Sequence, residues 1–102
     1  MTLPVLECVD NQHYNLCGEL TFSTVVELLS SSRGVLQRGK EFVFSLEGVT
    51  HSDSAGLALL IEWLRIGREN STQIKFINVP SQMMALARVA GVDGMIATAN
   101  TN

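Results

Sequence analysis

Little in this chain invites a metal, a redox centre or a polyanion. Its 102 residues include two cysteines, two histidines and two prolines. Cys8 and Cys17 form no Cys-x-x-Cys pair, and zinc-ligand spacing is absent. If both lie on a hairpin turning near Asp10-Asn11, Cys8 pairs near His13. Cys17 then lies about 13 Å further along, at ~3.3 Å per residue, too far for a disulfide. Both are expected as buried or half-buried thiols. The seven basic residues are scattered and the net charge is -3. No Lys/Arg cluster is available to neutralise phosphates or to hold an anionic membrane surface, so no nucleic-acid partner is expected. The opening Met1-Thr2-Leu3-Pro4-Val5 has no positively charged start, so no signal peptide is expected in it. The longest run of aliphatic residues, Ala and Gly, Ala55 to Ile61, is far below the roughly 20 residues of a membrane span. A cytoplasmic protein with no direct membrane insertion is expected.

What is present is the pattern of one globular α/β domain. A content of 46% hydrophobic and 17% charged residues excludes disorder, and the length suits a single core. Leu3 to Val9 and His13 to Gly18 read as two strands about a turn-forming Asp10-Asn11-Gln12 cluster. A helix follows, with capping-box spacing at Thr24 and Glu27 or a cap at Ser23. It runs to about Leu36, and Gly34 and Gly39 mark its exit. Glu41 to Leu46 is a strand whose consecutive apolar residues predict cover on both faces. A second helix starts in the motif at 50–60 and reaches about Glu69. Gln73 to Val79 is another strand. Ser81 caps a third helix over 82–90, which Gly91 stops. Met95-Ile96 reads as a last short strand. The expected fold is a mixed β-sheet of 4–5 strands flanked by three helices, ordered β-β-α-β-α-β-α, with parallel pairing in its second half. The domain spans 1–97, and 98–102 reads as a loose tail.

The second helix carries more apolar surface than one docking face needs. Leu57, Leu60, Ile61 and Leu64 form a stripe expected to dock on the sheet. Leu59, Trp63 and Ile66 form a second stripe roughly opposite. Either a neighbouring helix of the same domain covers it, or part of it, Trp63 above all, is a contact surface for another protein.

Thr50-His51-Ser52-Asp53-Ser54-Ala55-Gly56-Leu57 opens that helix. A nucleophilic serine needs a base within reach. His51 and Ser52 are adjacent on a strand end and point apart, and His13 lies in the first hairpin. No Gly-x-Ser-x-Gly elbow is present, and neither phosphate-loop nor dinucleotide glycine pattern occurs. The loop therefore suits helix capping and recognition better than catalysis. No catalytic residue, metal or cofactor is expected. Ser54 reads either as a plain cap or as a contact residue, and a phosphate on a serine here would face the helix dipole favourably.

Gly18-Glu19-Leu20, followed by Leu46-x-x-Val49-x-x-x-Asp53-Ser54-Ala55-Gly56-Leu57, resembles the STAS domain family. The resemblance covers nearly the whole chain and implies a non-catalytic protein-binding module with a STAS-type fold. In its anti-sigma-factor antagonists the usual pattern is Asp-Ser-Ser-Gly, and the second serine is phosphorylated by a partner kinase. Ala55 stands at that position here, and Thr21 replaces the usual Asp after Gly-Glu-Leu. Asp53-Ser54-Ala55-Gly56-Leu57-Ala58-Leu59-Leu60 is more similar to the MlaB branch, the STAS subunits of Mla phospholipid-transport systems. That resemblance implies a subunit peripheral to the inner membrane that binds an ABC ATPase and supports its assembly and activity. Asp53 and Gly56 would shape the loop, Ser54 would present its hydroxyl to the ATPase, and Ser52 and Trp63 would extend the site. The alternative is an antagonist-like switch phosphorylated at Ser54 or Ser52. A homodimer is compatible with either.

Overall fold

Two antiparallel strands open the fold: Val5–Asp10 (β1) and His13–Leu20 (β2). The computed structural model describes residues 5–10, 12–33, 36 and 40–99. A bulge between Cys8 and Asp10 moves the pairing by one residue, so Cys8 faces Tyr14, not His13. Cys17 faces Val5, three rungs from Tyr14, which keeps the two cysteines apart as expected. Glu41–Ser52 (β3) lies parallel to β2, and Gln73–Ile77 (β4) lies parallel to β3. The sheet is mixed, with strand order β1-β2-β3-β4. Helices Phe22–Ser32 (α1) and Ser54–Asn70 (α2) make the two parallel connections.

β3 is twice the expected length and runs through the motif to Ser52. Its Phe42, Phe44 and Leu46 are buried in the core, and alternation carries Glu41 and Glu47 to the surface. Val43 is only half-buried, so the second face is less covered than the apolar run predicts.

α2 docks through a face centred on Gly56, Leu60, Trp63 and Gly67, not on Leu57. Leu57 is buried at one flank, while Ile61 and Leu64 are half-buried. The two glycines bring the helix axis close to the sheet. A Cβ on Gly67 would stand 2.7 Å from the Thr72 carbonyl oxygen and 3.0 Å from Ile74 Cδ1. Between the glycines, Trp63 stacks on Phe44 with ring centroids 4.6 Å apart and planes 11° apart. Its indole N–H donates to Ser32 Oγ of α1 at 2.7 Å. The second stripe is thus core, closed by the sheet and by a helix of the same domain. Trp63 has no exposed surface and is withdrawn as a contact residue.

The cap of α1 stands three residues before the expected Thr24 and two before the alternative, Ser23. Thr21 is its N-cap, and the Thr21 N–H donates to Thr24 Oγ1 at 2.9 Å. The helix ends at Ser32, short of Leu36, which is buried and bonds through its N–H to the Ser32 carbonyl. Gly34 and Gly39 lie outside the described residues. Ser81–Ala90 (α3) starts behind Pro80, so Ser81 is its first residue rather than its cap. Gly91 stops it at φ 77°, a left-handed conformation that glycine adopts without strain. Met95-Ile96 is not a strand: Asp93–Ala99 forms a fourth helix (α4) that buries Ile96 completely. It reaches two residues into the expected tail, and 100–102 lie outside the described residues. Among the described residues no helix is long and apolar enough to cross a membrane.

Candidate functional site

The starts of α1 and α2 lie side by side because the strands before them are paired. Leu20 is opposite Ser52 in the β2–β3 ladder, and the Asp53 N–H donates to the Leu20 carbonyl at 3.1 Å. Each chain then turns into its helix at the same level. Asp53 is the N-cap of α2, its Oδ1 accepting from the Ala55 N–H at 2.8 Å. This satisfies one of the free donors of the first turn.

Ser54 is therefore not the cap. It is the first residue inside the helix, it is exposed, and among the described residues its hydroxyl has no partner. Ser52 is the opposite case. It is buried, its hydroxyl donates to the Asp53 carbonyl at 3.1 Å, and it packs under Gly56. A Cβ on Gly56 would collide with that hydroxyl and stand 2.9 Å from Leu20 Cβ. Ser52 and Gly56 thus fit together to hold the loop down, and Ser52 does not present a group to a partner. Of the five expected site residues, the surface keeps Ser54 and half-buried Asp53. Ser52, Gly56 and Trp63 lie beneath it.

The site also contains residues that the motif does not reveal. A groove of about 510 Å³ runs from Asp53 and Ser54 between the two helices. Phe22, Val25, Val26 and Leu29 form its α1 wall, and Ala55, Ala58, Leu59 and Glu62 its α2 wall. Each set recurs at i, i+3, i+4 and i+7, a single helical stripe. α1 buries Thr24, Leu28 and Ser32; within its groove stripe Val25 and Leu29 are half-buried against the core, while Phe22 and Val26 are exposed. Phe22 is 81% exposed and Val26 66% exposed. A soluble domain rarely leaves adjacent large apolar side chains uncovered without a use for them. Phe22 escapes a sequence reading that caps the helix at Thr24 or Ser23. Once the start moves to Phe22, its spacing to Val26 is the missing signal.

The lining includes two carboxylates, Asp53 and Glu62, and no lysine or arginine. Glu62 pairs with Arg65 through both oxygens, at 2.9 and 2.5 Å. These hydrogen bonds hold its carboxyl below the usual glutamate range. Arg65 also reaches Glu69 at 2.9 Å. His51 is exposed on β3, and among the described residues no histidine hydrogen-bonds Ser52 or Ser54. Nor do the described residues contain three His, Cys, Asp or Glu side chains grouped for a metal. The arrangement offers an apolar groove with an exposed hydroxyl at one end.

The family model described as Mlab, STAS domain matches residues 9–97. Among curated protein sequences none matches. Solved structures share the fold, two of them as follows. A sulfate transporter family protein from Wolinella succinogenes superposes with a TM-score of 0.66 at 16% identity, over 94% of this chain and 80% of that one. The anti-sigma factor antagonist SpoIIAA in its unphosphorylated form superposes with a TM-score of 0.61 at 18% identity, over 83% of this chain and 81% of that one.

Proposed function

The chain belongs to the STAS domain family, and from that premise we propose that it is a non-catalytic subunit of a phospholipid ABC transporter of the Mla type. It docks on the ATPase through the α1–α2 groove and supports assembly and activity of the complex. Its place is then the cytoplasmic side of the inner membrane, held there by its partner. The observation that carries the reading is the pairing of an exposed Ser54 hydroxyl with uncovered Phe22 and Val26 at one groove. Docking would bury that apolar surface, and the hydroxyl would fix the register.

Ala55 favours this reading over a phosphorylation switch. It stands where the antagonists' phosphorylated serine is expected, and it has no hydroxyl. Ser52 is too buried to replace it, which leaves Ser54 as the remaining serine of the motif for such a switch.

The test is affinity capture of the tagged chain from its native cells in mild detergent, with partners identified by mass spectrometry. Recovery of an ABC ATPase together with its membrane permease is the expected result. Recovery of a serine kinase or a sigma-factor regulator, with phosphate on Ser54, would overturn it.

A further inference from the structure

We propose that the groove takes a helix of the partner, lying antiparallel to α1 and α2 and carrying a basic last turn that meets Asp53; the proposal rests on the docking reading above. Both walls are helical stripes of the same length, spanning about 10 Å at 1.5 Å per residue. Two side-by-side helices present a channel that a third cylinder fills by ridge-into-groove packing. An amphipathic helix does this with its own i, i+3, i+4, i+7 side chains. The small Ala55 and Ala58 on the α2 wall allow such a helix to approach closely.

Charge complementarity sets the direction. At the Ser54 end, α1 and α2 both begin, and their first-turn N–H groups make that end electropositive. A helix arriving with its carboxyl end there brings free carbonyls, and the unpartnered Ser54 hydroxyl is placed to donate to one. Lysine or arginine is favoured in a last helical turn. At this position it meets the Asp53 carboxylate, of which only Oδ1 is used in the cap. Glu62, at the far end, is already held by Arg65 through both carboxylate oxygens and does not set the direction. Reversing the helix would set three helix starts together.

The experiment places a photo-cross-linking residue, p-benzoylphenylalanine, at Phe22 or at Glu62 in the full chain within its native cells. Phe22 is 81% exposed and Glu62 lies on the rim, so neither replacement disturbs the core. Cross-linked peptides are mapped by mass spectrometry. Both sites are expected to label one helix of one partner, with the Phe22 label about two turns nearer that helix's carboxyl end than the Glu62 label. The reverse order, labels on a strand or loop, labels only on a second copy of this chain, or no cross-link would each overturn the proposal. Labels in the expected order on a protein other than an ABC ATPase would remove the transporter reading and keep the helix. Labels on a loop of an ABC ATPase would do the opposite.

Discussion

Asp53 and Ser54 are neighbours with separate tasks. Asp53 spends its carboxylate on the Ala55 N–H, while Ser54 points its hydroxyl outwards. Asp53→Ala is therefore expected to cost about 1 kcal/mol of stability, the usual cost of losing a cap. Ser54→Ala is expected to stay within about 0.5 kcal/mol and to weaken partner capture. Urea unfolding followed by the fluorescence of Trp63, the only tryptophan, measures both. A loss near 1 kcal/mol in Ser54→Ala would return that hydroxyl to a capping role. The sequence shows that Ser or Asp caps this helix but not which one does. The phase is set by β3, whose pairing of Ser52 with Leu20 places the following residue at the N-cap. Ladder register of that kind depends on a strand about 30 residues away and leaves no local mark.

At the scale of elements, Trp63 decides how α2 is used. Trp63→Phe keeps an aromatic ring against Phe44 but removes the N–H that Ser32 accepts. It also shrinks a side chain that is fully buried. The expected cost is about 1–3 kcal/mol, read by thermal unfolding in circular dichroism, with capture of the partner unchanged. Loss of capture in a folded Trp63→Phe protein would make the tryptophan part of the interface after all. The strands, the three long helices and their order were legible, because each carries several periods of its pattern. The docked face of α2 was not. Its centre line includes Gly56 and Gly67, which add nothing to a hydrophobic stripe, so the leucines on the flank looked central. α4 was not legible because Met95-Ile96 is too short to show a period; in the structure the Met95 and Ile96 N–H groups both donate to the Val92 carbonyl, a helical turn. The α1 stripe was hidden by the choice of cap, Thr24 or Ser23 in place of Thr21.

For the whole molecule, two exposed valines separate docking from mere stickiness. Val26 sits in the groove at 66% exposure and Val89 lies on α3 at 89% exposure. An aspartate at either site leaves the core untouched, so each variant is expected to unfold within about 0.5 kcal/mol of the parent. Their effects on capture should differ. Val26→Asp puts a charge among Phe22, Leu29 and Leu59, and docking would have to bury it without a partner. Capture of the partner should then be lost. Val89→Asp should leave it intact. Because the groove walls are apolar, capture by the parent protein should also survive 0.5 M salt, where the Debye length is only about 4 Å. Equal loss in both variants would mean that exposed hydrophobicity anywhere on the chain drives association. Loss in neither would move the interface away from the groove, and with it the role assigned to Ser54.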